Sequence, residues 1–222
     1  METVSIHKPK VVVIGSCNTD MVVKANRLPV PGETVLGGTF YMNPGGKGAN
    51  QAIAASRLGA EVTFISKIGY DLFGLQALEI YKSEKINTEF IFTDQKSPSG
   101  VALISVDSFG ENSIIVAPGA SRSLSIEDIN KAEEKIREAD IILMQLEVPI
   151  ETAEYAATIA NKYNKKVILN PAPASTLSNA FLRNIHTILP NRIEAEMLSG
   201  IKVMDIDCLL YTSPSPRDYA AS

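Results

Sequence analysis

The sequence predicts an α/β protein with three αβα layers, in which helices cover a mostly parallel sheet and a small antiparallel sheet stands off it as a lid. Short β-branched runs alternate with helical patterns along most of the chain, which is typical of parallel strands joined by helical crossovers. Two stretches bounded by Pro and Gly interrupt the alternation and predict the separate small sheet. With 222 residues, 45% of them hydrophobic, the chain can bury one sizeable core.

The main layers are predicted from periodicity. Apolar runs predict buried strands at 10–15, 62–68, 141–144, 167–169 and 187–189. Amphipathic patterns predict helices at 50–58, 74–83, 125–138, 151–162 and from about 193. Ser125, with Asp128 following it after two residues, resembles a capping box and marks one helix start. The chain up to residue 207 therefore predicts a single α/β domain.

The lid is predicted in two segments, at about 21–41 and 90–117. Its strand candidates are 21–23, 34–41, 90–92, 101–106 and 113–117, all expected to pair antiparallel. A hairpin turn is expected at 109–112, between the last two strands.

Composition excludes several classes of protein. The net charge of −4 and pI near 5.3, with acidic and basic residues interleaved, argue against a nucleic-acid binder. Cys17 and Cys208 are far apart, and His7 and His186 are the only histidines, so a disulfide framework, a structural zinc site or a Ser-His-Asp triad is not expected. No signal peptide or membrane-spanning run is seen, which predicts a cytoplasmic protein without a membrane partner.

A glycine-rich segment, Gly45-Gly46-Lys47-Gly48-Ala49-Asn50, opens directly into a predicted helix. Its glycines let a ligand approach the main chain closely, and the N–H groups of a helix N-terminus favour oxygen-rich or anionic groups. The segment is not a P-loop, because Gly48 stands where that motif needs Ser or Thr. On the glycines alone, a flexible turn remains an equal alternative.

Polar residues also follow the predicted strands. Asn18 and Asp20 come just after the first strand, and Glu147 follows strand 141–144, at the edge where open α/β sheets bind ligands. A carboxylate there can accept hydrogen bonds from two vicinal hydroxyls. The alternatives are a turn or cap residue for Asp20 and a helix N-terminal acid for Glu147.

The glycine-rich segment continues with Ala52, Gly59, Gly69, Asp71 and Gly74, and this whole pattern resembles the first signature of the ribokinase-like (PfkB) carbohydrate kinases. Asn18-Thr19-Asp20 and the stretch 170–174, Asn-Pro-Ala-Pro-Ala, are similar to the ribose-phosphorylating branch of that family. Asn191-Arg192-Ile193-Glu194 matches its Asn-x-x-Glu. The resemblance extends from Val11 to about Met204.

The resemblance implies a ribokinase-like, Rossmann-like fold and ATP-dependent phosphorylation of D-ribose at O5. The residues it implies for the sugar are Asn18, Thr19, Asp20, Gly46, Lys47, Gly48, Ala49, Asn50 and Glu147. It assigns Asn191 and Glu194 to the nucleotide phosphates and to Mg²⁺, Glu194 acting through water, although an Asn cap followed by a first-turn acid is the alternative. It also implies a monovalent cation, K⁺, and a homodimer formed through the lid.

The sequence departs from the family in one respect: the second signature, Asp-Thr-x-Gly-Ala-Gly-Asp, does not occur in it. In the family this segment supplies the catalytic base, the anion hole and much of the ATP site, and the cation site belongs to the same part. Residues 1–207 are therefore expected to be the N-terminal two-thirds of the domain, without a catalytic residue. The stretch 208–218, within the tail 208–222, resembles a translated sequencing adapter, and a disordered natural tail is the alternative.

The expected activity of the intact enzyme is that of a ribose kinase, and the chain as written is expected to be inactive. One alternative is another kinase of the family, for fructose, a nucleoside or a keto-deoxy sugar. The other is a non-catalytic protein that binds sugar or dimerises through its lid.

Overall fold

The computed structural model describes residues 8–204, so the predictions for Cys208 and the tail lie outside the described residues. The strands are β1 (Lys10–Ile14), β2 (Asn18–Lys24), β3 (Thr39–Gly45), β4 (Glu61–Gly69), β5 (Ile91–Asp94), β6 (Gly100–Val106), β7 (Asn112–Ala117), β8 (Ile141–Met144), β9 (Lys166–Leu169) and β10 (Thr187–Ile188). The α-helices are α1 (Lys47–Arg57), α2 (Leu72–Ser83), α3 (Ile126–Lys131), α4 (Glu133–Glu138), α5 (Ile150–Lys162), α6 (Asn179–Arg183) and α7 (Arg192–Ser199). A 3₁₀ helix spans Gly119–Ser123.

Six strands form the main sheet in the order β10-β9-β8-β1-β4-β5, and their pairings are parallel. β1 lies in the middle because its run of Val11 to Ile14 is apolar on both faces. Val12 and Ile14 pack into one core cluster with α3–α6, while Val11 and Val13 pack into another with α1 and α2. Successive side chains of one strand thus fill both cores, which confirms the three predicted layers.

The second sheet has the order β3-β2-β6-β7 and is called the lid sheet below. β3 and β7 pair antiparallel with their neighbours, as predicted, but the central pair β2–β6 is parallel, so the sheet is mixed rather than antiparallel. The hairpin predicted at 109–112 does connect β6 to β7.

β5 lies in the main sheet, so the prediction that 90–92 is an antiparallel strand of the lid is wrong. Ile91 to Asp94 pair in parallel with Ser66 to Gly69 of β4. The physical reason is the crossover: β5 follows α2, and a strand that returns after a helix packs parallel beside the strand before it. The lid sheet therefore begins again only at Gly100.

Other differences concern element ends. β3 begins at Thr39 rather than at 34, because Gly37 and Gly38 have φ of 101° and 108°, outside the range of a regular strand. The helix predicted at 125–138 is two helices, since Ala132 has φ −99° and ψ 4°. The Ser125–Asp128 capping box is confirmed, with both reciprocal hydrogen bonds present. α6 and the 3₁₀ helix were not predicted because each spans a single turn.

A buried ion pair joins the sheet to the helical layer. Lys67 of β4 lies with its Nζ 2.8 Å from Oδ2 of Asp128 and 3.1 Å from the carbonyl oxygen of Ser123. The side chains are 16% and 6% exposed. Burial alone would raise the pKa of Asp128, but the hydrogen bonds from Lys67 and Ser125 outweigh it and the pKa is lowered. Asp128 is therefore ionised, and Lys67 supplies its counter-charge.

We expect Lys67→Met to lower the free energy of unfolding by about 3 kcal/mol, because it leaves the buried Asp128 carboxylate without its counter-charge. Urea unfolding measures the change. Lys82→Met is the matched control: Lys82 pairs with Glu79 on an exposed face of α2, and its loss should cost less than about 0.5 kcal/mol. Equal effects of the two substitutions would contradict the importance of the buried pair.

Candidate functional site

The predicted polar residues meet at the carboxyl edge of the main sheet. β1 and β8 are neighbours, with Ile14 opposite Met144, so the chain that leaves each strand arrives at the same edge. Ser16 and Asn18 follow β1, and Glu147 follows β8. The glycine-rich segment lies against both, because α1 begins there. The structure thus brings together residues that are far apart in the chain.

Gly46 is the N-cap of α1 and has φ of 90°, a conformation that favours glycine. A β-carbon at this position would lie 2.9 Å from the backbone nitrogen of Asn18 and 3.0 Å from the carbonyl oxygen of Ser16. The predicted loop at a helix start is therefore present, and it is packed closely against the end of β1.

Glu147 is the centre of this arrangement. Its Oε1 lies 2.7 Å from Nζ of Lys47, and its Oε2 accepts a hydrogen bond of 2.9 Å from the backbone N–H of Lys47. The hydroxyl of Ser16 also donates to Oε2. Burial alone would raise the pKa of Glu147, but the hydrogen bonds from Lys47 and Ser16 outweigh it, so the pKa is lowered. Glu147 is thus held as a carboxylate.

Asp20 lies on β2, partly buried against Gly45. Burial and the nearby charge of Glu147 raise the pKa of Asp20, and the attraction of Lys47 does not offset them. Two carboxylates thus share one lysine. Because the ammonium group of Lys47 is bound to Glu147, it offsets the negative charge of Asp20 less well than that of Glu147.

A cavity of about 350 Å³ lies between the lid sheet and the main sheet. Its walls are Ser16, Asn18, Lys47, Val116, Pro118, Arg122, Leu146, Glu147 and Pro173. The side-chain oxygen of Asn18 is buried and has no hydrogen-bond partner among the described residues. Carboxylate, ammonium and amide groups therefore border one space, and together they can both donate to and accept from a ligand with several hydroxyls.

A second cavity of about 340 Å³ lies on the other side of Lys47. It is lined by Lys47, Asn50, Gln51, Asn170, Ala172, Asn191 and Glu194. Asn191 and Glu194 form a capping box on α7: the Asn191 side chain accepts from the N–H of Glu194 at 2.9 Å, and Glu194 accepts from the N–H of Asn191 at 2.9 Å. The helix-cap alternative is thus confirmed, and both residues also face a cavity.

Some predicted site residues do not line the polar cavities with their side chains. Thr19 does not line either polar cavity but borders a third, mostly apolar cavity of about 410 Å³ beside α2, which Asn18 also lines. Ala49 is fully buried in a core cluster, so only its backbone could reach a ligand. Asp20, Gly46 and Gly48 do not line the two polar cavities as the described residues form them.

Sequence reasoning missed Ser16 and Arg122. Ser16 is 1% exposed, and its position directly after the Gly that closes the first strand was a signal that it reaches the sheet edge. Arg122 lines the cavity of Glu147 and donates to the carbonyl oxygen of Val148 at 3.3 Å. It lies in the unpredicted 3₁₀ helix, so no periodic pattern placed it.

Residues 8–204 contain no group of three or more His, Cys, Asp or Glu side chains that could hold a metal ion. None of their helices has the length and hydropathy needed to cross a membrane.

Comparison with known proteins gives consistent matches. A model described as pfkB family carbohydrate kinase matches residues 8–211. The chain is 46% identical to ribokinase of Haemophilus influenzae over 193 residues, which cover 87% of this chain and 63% of that protein. It is 37% identical to deoxyribokinase of Salmonella typhi, covering 89% of this chain and 65% of that protein. The structure of Arabidopsis thaliana ribokinase with ribose and ATP superposes with a TM-score of 0.84 at 28% identity, covering 96% of this chain and 70% of that chain.

We expect Asp20→Asn to raise the free energy of unfolding at pH 7. The folded-state pKa of Asp20 is raised, so its ionised form costs stability at neutral pH, and the neutral isostere removes that cost. The difference should vanish as the pH falls below 3.8, where the free carboxyl is also protonated. Thermal unfolding of both proteins against pH measures it.

Asp94→Asn is the control with the opposite sign. Hydrogen bonds from Ser123 and Lys96 lower the pKa of Asp94 to about 2, so its carboxylate contributes stability above 3.8 that is lost as the pH falls toward 2. This variant should be less stable at pH 7. A destabilised Asp20→Asn would contradict the electrostatic account of the site.

Proposed function

The chain belongs to the pfkB family of carbohydrate kinases, and we propose that it forms the sugar-binding part of an ATP-dependent kinase that phosphorylates D-ribose at O5. The cavity bordered by Asn18, Lys47 and Glu147 carries this proposal, because its polar groups suit a small neutral molecule with several hydroxyls. The chain spans less than two-thirds of the ribokinase and deoxyribokinase that it resembles, so the whole reaction is inferred from those relatives.

The charges of the cavity favour a neutral sugar. The ammonium group of Lys47 is bound to Glu147, and Asp20 adds a second carboxylate nearby. A polyol can donate to both carboxylates and accept from Lys47, whereas an anionic ligand would meet carboxylate repulsion. Hydroxyl donors would also satisfy the unpaired oxygen of Asn18 and stabilise the charged form of Asp20. We infer that Asp20 and Glu147 each accept sugar hydroxyls.

The second cavity fits the phosphates and Mg²⁺ of the nucleotide. Glu194 is a buried carboxylate, and the side-chain oxygen of Asn170 is buried without a partner among the described residues. Hard oxygen groups of this kind suit Mg²⁺ that keeps most of its waters. Bound MgATP would supply the transferable phosphoryl group. The residues of this chain would orient it: Lys47 and Asn50 border the cavity and can donate to anionic oxygens.

Phosphoryl transfer itself requires more than these residues. Catalysis of this kind depends on positioning and on stabilising the charge of the transferring group. The Asp-Thr-x-Gly-Ala-Gly-Asp segment, which the family resemblance assigns to the base and the anion hole, does not occur in the sequence. We infer that the 222-residue chain binds the sugar but does not phosphorylate it.

A homodimer formed through the lid sheet is part of the same proposal. Asn18, Asp20 and Val22 lie on one face of β2, and the register places Tyr41, Ile104 and Ile114 beside Val22 on that face. Of these, Tyr41 is 42% and Ile114 52% exposed, and Val116 on the same face is 48% exposed. Exposed apolar side chains grouped on one face are typical of a surface that another molecule covers. A second copy of the lid sheet would cover it and would also screen the sugar from water.

The function is tested by calorimetric titration of the chain with D-ribose. We expect saturable binding by the wild type and, for Asp20→Ala, an affinity at least about a hundredfold lower, because each hydrogen bond to a charged group contributes about 1.5–3 kcal/mol. Glu111→Ala removes an exposed acidic residue from the lid hairpin and should leave the affinity unchanged. Titrations with 2-deoxyribose and fructose separate ribose from the alternative substrates.

Two outcomes would contradict the proposal. Equal ribose affinity of the wild type and Asp20→Ala would remove the sugar-site assignment, and tighter binding of 2-deoxyribose or fructose would replace ribose as the substrate. A coupled assay should detect no ribose-dependent ADP release by this chain. Turnover above a blank without ribose would show that the second signature is not needed.

The dimer is tested by light scattering of wild type and Ile114→Asp. We expect a dimeric wild type and a monomeric variant, because a charge on this apolar face would have to be buried at the interface. Phe109→Asp is the control: Phe109 is 90% exposed at the tip of the β6–β7 hairpin, outside the paired strands. A monomeric wild type would remove the dimer from the proposal.

A further inference from the structure

The last three residues of the sequence pattern that begins at Gly45 have no place in the polar cavities. Gly69, Asp71 and Gly74 belong to that pattern, yet they lie at the end of β4 and the start of α2. None of them lines either polar cavity as the described residues form it. Their contacts connect this part of the main domain to the base of the lid sheet.

Asp71 binds two segments with one carboxylate. It is the N-cap of α2, where its Oδ1 accepts from the N–H of Gly74 at 2.9 Å. Its Oδ1 also accepts from the hydroxyl of Ser99 at 2.7 Å, and its Oδ2 accepts from the N–H of Ser99 at 2.7 Å. The hydroxyl of Ser99 in turn accepts from the N–H of Gly69 at 3.0 Å. The carboxylate therefore caps a helix and holds Ser99 by both of its donors.

The close approach of these segments explains the glycines. A β-carbon at Gly69 would lie 2.3 Å from the nitrogen of Ser99, and one at Gly74 would lie 2.4 Å from the carbonyl oxygen of Gly69. Both distances are shorter than a carbon can tolerate, so a side chain at either position would push Ser99 away from Asp71. The spacing of the motif is thus a packing requirement for holding Ser99.

Ser99 is the residue directly before the lid sheet. Gly100 begins β6 and lies opposite Asn18 of β2 in the parallel register. A β-carbon at Gly100 would lie 2.1 Å from Oδ1 of Asn18, so the backbone of β6 forms one wall around that amide. Pro98, on the other side of Ser99, accepts from the N–H of Ala120, which follows β7. One turn therefore fixes both the entry and the exit of the β6–β7 hairpin.

We propose that Asp71 is a positioning residue for the sugar site: by holding Ser99 it fixes β6 against β2, and so it sets the orientation of Asn18 in the cavity. The residues that donate to the carboxylate, Gly74 and Ser99, do not line the cavity. The expected effect of Asp71 on ribose binding rests on the proposed function. Its expected effect on β6 rests on the hydrogen bonds alone.

Asp71→Ser separates the two roles of the carboxylate. Serine is a good N-cap and can still accept from the N–H of Gly74, but its single short side chain cannot also hold both donors of Ser99. We expect a lower melting temperature, because both hydrogen bonds of Ser99 to the carboxylate are lost. We also expect a ribose affinity lower by about tenfold and faster amide hydrogen exchange in β6. Ser99→Ala keeps the backbone bond to Asp71 and should shift both readouts in the same direction, by less.

Ser178→Ala is the matched control. Ser178 caps α6 by accepting from the N–H of Phe181 at 2.9 Å, and its removal costs a helix cap without touching the lid sheet. It should lower stability and leave ribose affinity and the exchange of β6 unchanged. If it weakened ribose binding as much as Asp71→Ser, the effect would be one of stability, and the proposal would fail.

The two readouts keep this inference separate from the proposed function. Unchanged exchange in β6 for Asp71→Ser and Ser99→Ala would overturn the positioning role, whatever happens to ribose. Faster exchange with unchanged ribose affinity would overturn the link to the sugar site. If the wild type binds no ribose, the proposed function fails, and exchange alone then decides whether Asp71 fixes β6. If Asp71→Ser does not fold, ribose affinity and the amide exchange of β6 are both measured on Ser99→Ala instead.

Discussion

The arrangement of the candidate site depends on one carboxylate. Glu147 accepts from the backbone and the ammonium group of Lys47 and from the hydroxyl of Ser16, so the segment after β1, the start of α1 and the segment after β8 all meet on it. A partly buried carboxylate without such partners would be unfavourable, and with them it stays ionised. The glycine-rich loop is therefore held in place by a charge at the sheet edge as well as by its own backbone geometry.

The same charge also makes the site electrostatically unfavourable for a second carboxylate. Asp20 lies close enough to Glu147 for the two carboxylates to repel, and the single lysine between them is already engaged. A protein selected only for stability would avoid this arrangement. A binding site can retain it because ligand hydroxyls supply the missing donors, so part of the folding free energy is exchanged for affinity. The ionised side chain of Asp20 thus lowers the stability of the fold and raises the affinity for the ligand.

Much of the fold could be predicted because the signals are local. The apolar run of β1 and the Ser125–Asp128 capping box each appear within a few residues and were found where expected. The parallel pairing of β2 with β6 could not be predicted in this way, since it joins strands that are distant in the chain. Which face of β2 Thr19 occupies could not be predicted either, because side chains of a strand alternate between faces and a motif carries no information on which face meets the ligand. The residues missed in the site, Ser16 and Arg122, come from a tight turn and a 3₁₀ helix, neither of which has a strong periodicity.

The parallel pair at the centre of the lid sheet also bears on how the chain folds. β2 and β3 come before α1, whereas β6 and β7 come after β5, so the pairing of β2 with β6 closes a loop that contains β4 and β5 of the main sheet. Pairing between such distant strands carries a large loop-closure cost until the intervening chain is ordered. We therefore expect the main sheet to form early and the lid sheet to assemble last. The surface that would enclose the sugar would then also be the part of the molecule that completes the native state.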